Sequence, residues 1–493
     1  MEIGYEETQQ ALPLYRFLHT FGRNGRAAVG RRRWWREHNE LEGRMKFRVV
    51  VGLFLIAWGS PAKSQMRFEQ TESRFQNLPA SYEAATLFSG DSLKQLVNIH
   101  YRVGQNFFIF VRNEAVTSRT EYVAHGELAV ELLNDQKLSV AREIRQLPLS
   151  RSSLPKEGVH PPSIQGVISF SVPPGNYTVV FDLDDRESGR SFMEKTRKIK
   201  VPDPRQPGLQ VSDPMLVQST PSASVVPLFI PTNRNGSSLL GESGGIVAEV
   251  LQSSSMDTPV VHWKLHGMLD GIGERIQSFS DSVSSSLNGL LSILPQQEGI
   301  SYALKPSGEL WKTVFVPLPL QKLEPGLFTL DIEYRCGSLT RQQQQQFHVS
   351  WPARPFSLSD QDLAIDALRH IAKESEIDEL LAGGATKRAT TFSRFWRERS
   401  RDTTTAYNEV MAEYYYRVDD ALRRFSTSRE NDGYKTDRGR IYILYGPPQK
   451  SERSLQPNSA PTEIWTYERL HRRFIFIDTG KNGNYVLSQS ENL

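Results

Sequence analysis

Short runs in which hydrophobic and polar residues alternate dominate the chain between residues 82 and 351. In the first part of that stretch the clearest runs cover residues 96–103, 106–111, 127–133, 166–172, 176–182 and 195–201. Alternation with a period of two places the apolar side chains on one face of a β-strand, and turn residues separate the runs. The pattern therefore predicts several short strands packed as a β-sandwich over residues 82–204.

A turn-and-strand signature occurs twice in this β-rich stretch. A Pro-Gly pair at 174–175 precedes the run at 176–182, and the same pair at 325–326 precedes an alternating run at 327–332. The repeat predicts a second β-sandwich over residues 205–351, so we expect two immunoglobulin-like domains in tandem. Two Ser-, Asn- and Gly-rich stretches of the second domain are interpreted as long loops or a local helix: residues 233–245 and 277–288.

The periodicity changes after residue 352. Three stretches carry hydrophobic residues at every third or fourth position, as amphipathic helices do: residues 357–381, 389–399 and 405–425. Residues 440–445 are β-branched and aromatic, and Gly446-Pro447-Pro448 follows, so we expect a strand that ends there. Further alternating runs cover residues 463–467, 473–478 and 485–487. Residues 356–493 are therefore predicted to form an α+β domain, with helices packed on a small antiparallel sheet whose central strand is 440–445.

Residues 45–64 have the composition of a signal peptide. They begin Met45-Lys46-Phe47-Arg48 and continue with an apolar run at 49–58 that is too short to span a bilayer. Small residues precede Gln65, the expected mature start, and residues 65–81 are a polar linker. We interpret residues 1–44 as an upstream extension before the true start of translation. We therefore expect an exported protein in the periplasm, on the outer surface or outside the cell.

The net charge does not point to an anionic partner. The whole chain carries 59 Lys and Arg against 56 Asp and Glu. Residues 1–64 contain 11 and 6 of these, which leaves 48 and 50 and a net charge of −2 for the rest. No nucleic-acid partner is expected from this balance, although a basic arm around residues 31–36 remains the alternative. After residue 65 no apolar run is long enough to span a membrane.

No metal or other cofactor is expected. Cys336 is the single cysteine, so the chain can form neither an internal disulfide nor a cysteine-based metal cluster, and we interpret this thiol as a buried structural residue. His262 and His266 are four residues apart, but the alternation around them predicts a strand. On a strand the two side chains lie about 13 Å apart, which is too far to bind one ion.

The carboxy-terminal residues resemble the GWxTD domain family, which is named for Gly-Trp-x-Thr-Asp. The matching residues are Phe395-Trp396, Arg401-Asp402, Asn408-Glu409, Glu413-Tyr414-Tyr415, Gly433-Tyr434-Lys435-Thr436-Asp437, Arg438-Gly439-Arg440-Ile441-Tyr442-Ile443, Tyr445-Gly446-Pro447-Pro448, Glu463-Ile464-Trp465 with Tyr467, and Phe474-Ile475-Phe476 with Asp478. Tyr434 replaces the tryptophan of the family motif, and Gln449 stands where an acid is expected. The resemblance implies a secreted or periplasmic bacterial protein, commonly with β-sandwich domains before the motif domain.

The motif is expected to be a structural latch. Gly433 and Gly439 bracket a turn whose backbone would disfavour a Cβ atom, and Thr436 and Asp437 can accept backbone N–H groups inside it. The other expected contacts are between Tyr434 and Phe395 with Trp396, between Arg438 or Arg440 and Glu409 or Glu413, and around Trp465 on the following strand.

Two functions remain open at the level of the sequence. The favoured one is a non-enzymatic envelope protein that binds a protein partner or a surface polymer through its β-sandwich modules and the motif domain. The alternative is an envelope hydrolase or transferase in which Asp437 is a general base, Arg438 binds an anion, and Glu413 or Glu409 supplies a second carboxylate. Thr436 or Tyr434 would carry a proton in that reaction. A phosphate-binding glycine loop is not expected, because the spacing of Gly439 and Gly446 fits no such fingerprint.

Overall fold

The structure is a computed structural model that describes residues 78–114, 121–153, 163–218, 227–252, 257–270, 275–295, 299–427, 430–457 and 459–493. The upstream extension, the signal peptide and most of the linker predicted above lie outside these residues. The chain divides into two compact units. One, the β unit, comprises Gln70–Ala353 and Asp402–Asn408, and the other, the carboxy-terminal unit, contains Arg354–Arg401 and Glu409–Leu493.

The first half of the β unit contains two antiparallel sheets around one hydrophobic core. One sheet has the order β1-β2-β6, and the other contains β3, β4, β5, β7, β8 and β9. The strands are β1 Ala80–Leu87, β2 Gln95–Gly104, β3 Val111–Arg112, β4 Tyr122–Asn134, β5 Ser139–Arg151, β6 Ser163–Val172, β7 Gly175–Asp185, β8 Arg190–Glu194 and β9 Lys198–Val201. On β7, Tyr177, Val179, Phe181 and Leu183 alternate with more exposed residues and enter the core.

One strand predicted in this half is wrong. Residues 106–111 do not form a strand, because Gln105–Phe107 is a 3-10 helix and only Val111–Arg112 pairs with β4. Phe107 and Phe108 are both buried although they are adjacent, and that is incompatible with simple alternation. The strands β1, β5 and β8 were not predicted from the sequence.

The second half of the β unit contains three sheets. Their orders are β12-β11-β14-β20-β17 with β10 beside β14, β13-β22-β21-β15-β16, and β18-β19. The strands are β10 Gln210–Val211, β11 Met215–Gln218, β12 Ile230–Pro231, β13 Ser237–Leu239, β14 Gly244–Leu251, β15 Val260–Leu269, β16 Ile276–Val283, β17 Leu287–Asn288, β18 Leu290–Pro295, β19 Ile300–Lys305, β20 Trp311–Leu318, β21 Gly326–Cys336 and β22 Leu339–Ser350. The two larger sheets share a core that includes Trp263, Phe328 and Tyr334.

The interpretation of residues 277–288 as a loop or helix is wrong. Ile276–Val283 is a strand that pairs with β15 along its length, and its serines lie on an exposed face. Residues 233–245 include strand β13 and the start of β14, so they are not one long loop either. The predicted strand around His262 and His266 is confirmed, and so is the strand after Pro325-Gly326.

The two halves of the β unit share a third hydrophobic cluster. Ala85 and Leu87 of β1 belong to it together with Met215, Tyr302 and other residues of the second half. Polar contacts cross the same boundary, including a hydrogen bond of 3.0 Å from Asn98 Nδ2 to the hydroxyl of Tyr302. The two β-rich halves are therefore parts of one compact unit.

Residues 402–408 belong to the β unit although they follow the first helices in the chain. The N–H of Ala406 donates to the carbonyl of Gln321 over 2.7 Å, and the rings of Tyr407 and Trp351 are 5.9 Å apart. The helix predicted at residues 405–425 consequently begins later, at Glu409.

In its described residues, the carboxy-terminal unit contains five α-helices and a four-stranded antiparallel sheet of order β23-β24-β25-β26. The helices are α1 Gln361–Ala367, α2 Glu374–Leu381, α3 Ala385–Arg397, α4 Glu409–Phe425 and α5 Asp437–Tyr445, and the strands are β23 Lys450–Ser454, β24 Thr462–Tyr467, β25 Arg472–Ile477 and β26 Val486–Asn492. One hydrophobic core contains residues of every helix and of β24 and β25. The chain is therefore mostly β-sheet, with its α-helices in this unit as far as the described residues extend.

The strand predicted at residues 440–445 is wrong, because these residues form the last part of helix α5. Ile441, Tyr442, Ile443 and Tyr445 are all buried, so the segment shows neither the alternation of a strand nor the stripe of a surface helix. The chain does carry the signals of helix ends: Thr436 is the N-cap, and Gly446 has a φ of 77° at the C-terminal end. The sheet is completed by β23 instead.

Candidate functional site

Thr436 begins helix α5 and connects it to the preceding turn. Its hydroxyl accepts the N–H of Gly439 over 3.0 Å and donates to the carbonyl of Gly433 over 2.7 Å. The side chain thereby satisfies one of the N–H groups that a helix leaves unpaired at its first turn. Gly433–Lys435 forms a short 3-10 helix immediately before this cap, so the motif is a helix entry and not an open loop.

The two motif glycines allow a close approach between backbone segments. A Cβ atom on Gly439 would lie 2.1 Å from the carbonyl oxygen of Gly433, and one on Gly433 would lie 2.3 Å from the carbonyl oxygen of Ala421. Neither glycine is among the residues with positive φ. The expectation that they provide an unusual backbone conformation is therefore wrong, and the reason for glycine is space.

Asp437 connects helix α5 to the last strand of the sheet. Its Oδ1 lies 3.0 Å from a guanidinium nitrogen of Arg440, and its Oδ2 accepts the backbone N–H of Leu487 over 2.9 Å. As the first residue of the helix it also places a negative charge near the positive end of the helix dipole. Both carboxylate oxygens are thus engaged within the fold.

Arg438 and Glu463 form a buried ion pair between helix α5 and strand β24. Arg438 is 7% exposed and Glu463 is 6% exposed. Arg438 Nη1 lies 3.0 Å from Glu463 Oε2, and Nη2 donates to the carbonyl of Gly483 over 3.0 Å. The guanidinium carbon lies 4.3 Å from the centre of the Tyr485 ring, which adds a cation–π contact.

Glu463 has further donors around its carboxylate. Trp465 Nε1 donates to Oε1 over 2.8 Å, and Arg453 lies 3.1 Å from Oε2. Burial alone would raise the pKa of Glu463, but the indole N–H and the guanidinium groups of Arg453 and Arg438 hold the pKa below its usual value. The carboxylate is consequently kept ionised inside the domain.

Tyr434 lies against helix α1 rather than against Phe395 and Trp396. Its hydroxyl donates to Asp366 Oδ2, and His370 Nε2 donates to its backbone carbonyl over 2.9 Å. Lys435 Nζ lies 3.1 Å from Asp366 and 2.5 Å from Asp432. The tyrosine that replaces the family tryptophan therefore brings a hydroxyl to a charged group on the first helix.

Tyr434 and the titratable groups around it have shifted pKa values. Burial and the Asp366 carboxylate raise the pKa of the Tyr434 phenol. Burial would raise the pKa of Asp366, but hydrogen bonds from Tyr434, Arg369 and Lys435 hold it below its ordinary value. The hydrogen bond to Asp432 raises the pKa of Lys435, and burial lowers the pKa of His370. Asp366 and Lys435 are accordingly held in their charged forms.

The expected pairing of the motif arginines with the carboxylates of helix α4 is wrong. Glu413 lies 2.7 Å from Arg417, which is 3% exposed and also donates to the carbonyl of Ile443 over 3.2 Å. Arg438 forms its ion pair with Glu463, and Arg440 forms one with Asp437. Glu409 is an exposed residue in the first turn of α4. The residues of the hydrolase alternative, Asp437, Arg438 and Glu413, thus have three separate partners.

The tryptophans of the domain belong to two aromatic groups in the core. Trp396 lies 5.4 Å from Phe395 and 5.5 Å from Tyr414, measured between ring centres. Trp465 lies 5.6 Å from Phe425 and 4.8 Å from Phe476. These distances are typical of tilted and edge-to-face ring pairs, so both residues stabilise the core.

Several residues that hold the motif were not singled out from the sequence. Asp366, His370 and Tyr485 gave no signal, because each contacts the motif across a long separation in sequence. Arg453 gave none either, because it acts on the motif only through Glu463. Glu463 did give one, since alternation on β24 puts it on the same face as the buried Trp465 and Tyr467. A charged residue on an apolar strand face requires a buried counterion, and Arg438 supplies it.

The residues that the structure describes contain neither a candidate metal site nor a helix that could span a membrane. No three histidine, cysteine, aspartate or glutamate side chains are placed so that they could hold a metal ion. Within the same residues, no helix combines the length and the apolar composition needed to cross a membrane.

Comparison with known proteins identifies the carboxy-terminal region. Residues 336–492 match the sequence model of the GWxTD domain. No curated protein matches the chain. Among solved structures, the crystal structure of an ICAM-5 D1–D4 ectodomain fragment is similar at 11% identity, covering 54% of this chain and 53% of that one, with a TM-score of 0.13. This chain therefore spans about half of that structure, and the low score supports no conclusion about the fold.

Proposed function

We propose that this chain, which belongs to the GWxTD domain-containing family, is an exported cell-envelope protein that binds a partner and catalyses no reaction. One observation carries the proposal. The polar groups of the motif are engaged in contacts that hold the domain together: Thr436 caps α5, Asp437 binds Arg440 and the N–H of Leu487, and Arg438 is buried against Glu463. A general base or an anion site needs such groups to be available to a substrate.

The β unit is the proposed binding module. We infer that its two halves are immunoglobulin-like sandwiches, because each has two larger sheets that share a hydrophobic core, and every strand pair in these sheets is antiparallel except β13 with β22. A protein partner or a cell-surface polymer is the proposed ligand. Export through the signal peptide at residues 45–64 would place these modules in the periplasm or outside the cell.

The experiment compares the full chain with Asp437→Asn in urea unfolding. If the motif is a latch, the substitution weakens the pair with Arg440 and the interaction with the helix N-terminus, and the free energy of unfolding falls by about 1 kcal/mol. The matched control is Asp420→Asn. Asp420 also pairs with an arginine three residues later, but it lies near the C-terminal end of α4, where a negative charge is not favoured by the helix dipole. Its other contact is the hydroxyl of Tyr442, 3.0 Å away, which the amide oxygen of an asparagine can still accept, so the substitution should cost less than about 0.5 kcal/mol.

Two further measurements separate binding from catalysis. The wild-type chain and Asp420→Asn should sediment equally with isolated cell-envelope material, whereas failure of the wild type to sediment would contradict the binding function. Nitrophenyl esters, phosphates and glycosides serve as probes for hydrolysis. Unchanged unfolding of Asp437→Asn, together with loss of a hydrolytic activity that the wild type shows, would favour the hydrolase or transferase instead.

A further inference from the structure

Strand β5 is an open edge of the larger sheet in the first half of the β unit. It covers Ser139–Arg151, and among the described residues it pairs with β4 alone. Two of its large apolar side chains are exposed, Val140 at 41% and Ile144 at 47%. An edge strand of this length presents unpaired backbone groups that another strand can bind.

The direction of these backbone groups follows from contacts on the neighbouring strand. The carbonyl of His125 accepts the N–H of Arg186 over 2.9 Å, so it faces away from β5. Pro148 is opposite His125, which makes this a non-hydrogen-bonded pair and turns the proline nitrogen toward the free edge. By alternation, the N–H and C=O groups of Arg142, Ile144 and Gln146 also face the free edge.

Two features limit the part of the edge that can pair. A register shift opposite Leu132 and Leu133 interrupts the ladder near Ser139 to Ala141, and Pro148 has no N–H to donate. Such features protect natural edges from unspecific pairing. Between them they leave one short window, residues 142–147, and this restricts the number of possible registers.

Two of the three charged side chains in that window are complementary to each other. Glu143 and Arg145 lie on the side of the strand that carries the buried Leu147, 2.8 Å apart, with side chains 37% and 38% exposed, and Arg145 also hydrogen-bonds Tyr101 of β2. Arg142 lies on the opposite side of the strand. In an antiparallel pair of two β5 strands centred on Ile144, Glu143 of each copy faces Arg145 of the other. A register centred on Arg145 would instead place this arginine opposite itself, and like charges directly opposite are destabilising.

We propose that a second copy of this chain binds at β5, so that the two strands pair antiparallel around Ile144 and the sheet continues from one copy into the other. The backbone groups of Arg142, Ile144 and Gln146 form the ladder. The exposed Ile144 side chains meet across the two-fold axis, and the Glu143–Arg145 pairs on either side fix the register.

Sedimentation equilibrium of the full chain up to about 100 μM tests the proposal, since this range detects a dimer of micromolar affinity. The wild type should form dimers. Glu143→Arg and Arg145→Glu should each raise the dimer dissociation constant at least about tenfold, because each places like charges opposite one another. An equimolar mixture of the two variants should dimerise again, since every opposed pair in that heterodimer is of unlike charge.

The mixture distinguishes this contact from damage to the fold, because neither variant regains its own Glu143–Arg145 pair in it. Glu333→Arg is the control. Glu333 and Arg335 form a similar pair two residues apart, but on β21, which lies between β15 and β22 and has no open edge over these residues. The dimer dissociation constant of Glu333→Arg should equal that of the wild type. The proposal would be overturned if the wild type stayed monomeric, or if neither Glu143→Arg nor Arg145→Glu changed the dimer dissociation constant. It would also be overturned if the mixture of the two variants failed to dimerise.

Discussion

Two buried glutamates, one in each unit, show opposite ways of placing an acid inside a protein. Glu463 in the carboxy-terminal unit is 6% exposed and lies beside Arg438, Arg453 and the indole N–H of Trp465. Glu249 in the β unit is completely buried. Its carboxyl group accepts hydrogen bonds from two backbone N–H groups, that of Phe88 over 2.6 Å and that of Leu291 over 2.7 Å. Within the described residues no cation forms an ion pair with it.

The difference appears in the protonation of the two acids. Burial raises the pKa of Glu249 to about 8, although the two N–H groups oppose this shift. The donors and cations around Glu463 reverse the effect of burial and lower its pKa. The indole N–H of Trp465 together with two arginines therefore keeps Glu463 ionised, whereas two backbone N–H groups leave Glu249 largely protonated at neutral pH.

The largest expected effect is the dependence of stability on pH that Glu249 causes. Its pKa in the folded state is raised above the ordinary value of 4.5 to about 8. Its contribution is therefore fully present below pH 4.5 and is lost as the pH rises through about 8, by about 5 kcal/mol in total. Urea unfolding of the wild type and Glu249→Gln between pH 4.5 and 9 measures it, because the difference between the two proteins cancels other titrating groups.

Glu463 should change the pH dependence of stability in the opposite direction. Its pKa is lowered in the folded state, so its contribution is present above the ordinary glutamate range and is lost as the pH falls. As the pH falls through the acidic range, the wild type should therefore lose more stability than Glu463→Gln does. If Glu249→Gln and the wild type lose stability in parallel as the pH rises, Glu249 does not have a raised pKa and does not differ from Glu463 in this way.

A smaller effect separates the two arginines that contact Glu463. Arg438→Met removes the buried cation, and we expect the free energy of unfolding to fall by about 3 kcal/mol. Arg453→Met removes a side chain that is 52% exposed, and it should cost less than about 1 kcal/mol. Urea unfolding at pH 7 measures both. Equal losses would mean that Arg453 supplies as much of the compensation as Arg438.

Much of the β-strand content could be predicted from local pattern. Runs such as those within β7 and β21 alternate strictly because one face is buried and the other is not. Strand β5 escaped notice since most of its residues are at least partly exposed, so no apolar face marks it. The 3-10 helix at Gln105–Phe107 was missed because two adjacent buried phenylalanines do not reveal which backbone conformation buries them.

The carboxy-terminal unit shows where local pattern misleads. β-branched and aromatic residues favoured a strand at 440–445, but helix α5 is buried on nearly all sides and its hydrophobic residues therefore show no stripe. The cap at Thr436 and the Gly446-Pro447 end were better indicators, because they act through local geometry.

The motif residues could be found by resemblance, but their partners could not. Asp366, Glu463 and Leu487 lie far from the motif in sequence, and only the packing of helices on the sheet brings them to Tyr434, Arg438 and Asp437. The pairing with Glu409 and Glu413 was plausible on helical spacing alone. It fails because Glu413 is already paired with Arg417 on its own helix.

The Arg438–Glu463 pair is the contact through which the motif holds the carboxy-terminal unit together. A double-mutant cycle measures its coupling energy, with urea unfolding of the wild type, Arg438→Met, Glu463→Gln and the double variant. We expect the double variant to be more stable than the sum of the single losses implies, by about 2 kcal/mol, because each single change leaves a buried partner uncompensated. Losses that add within about 0.5 kcal/mol would contradict it.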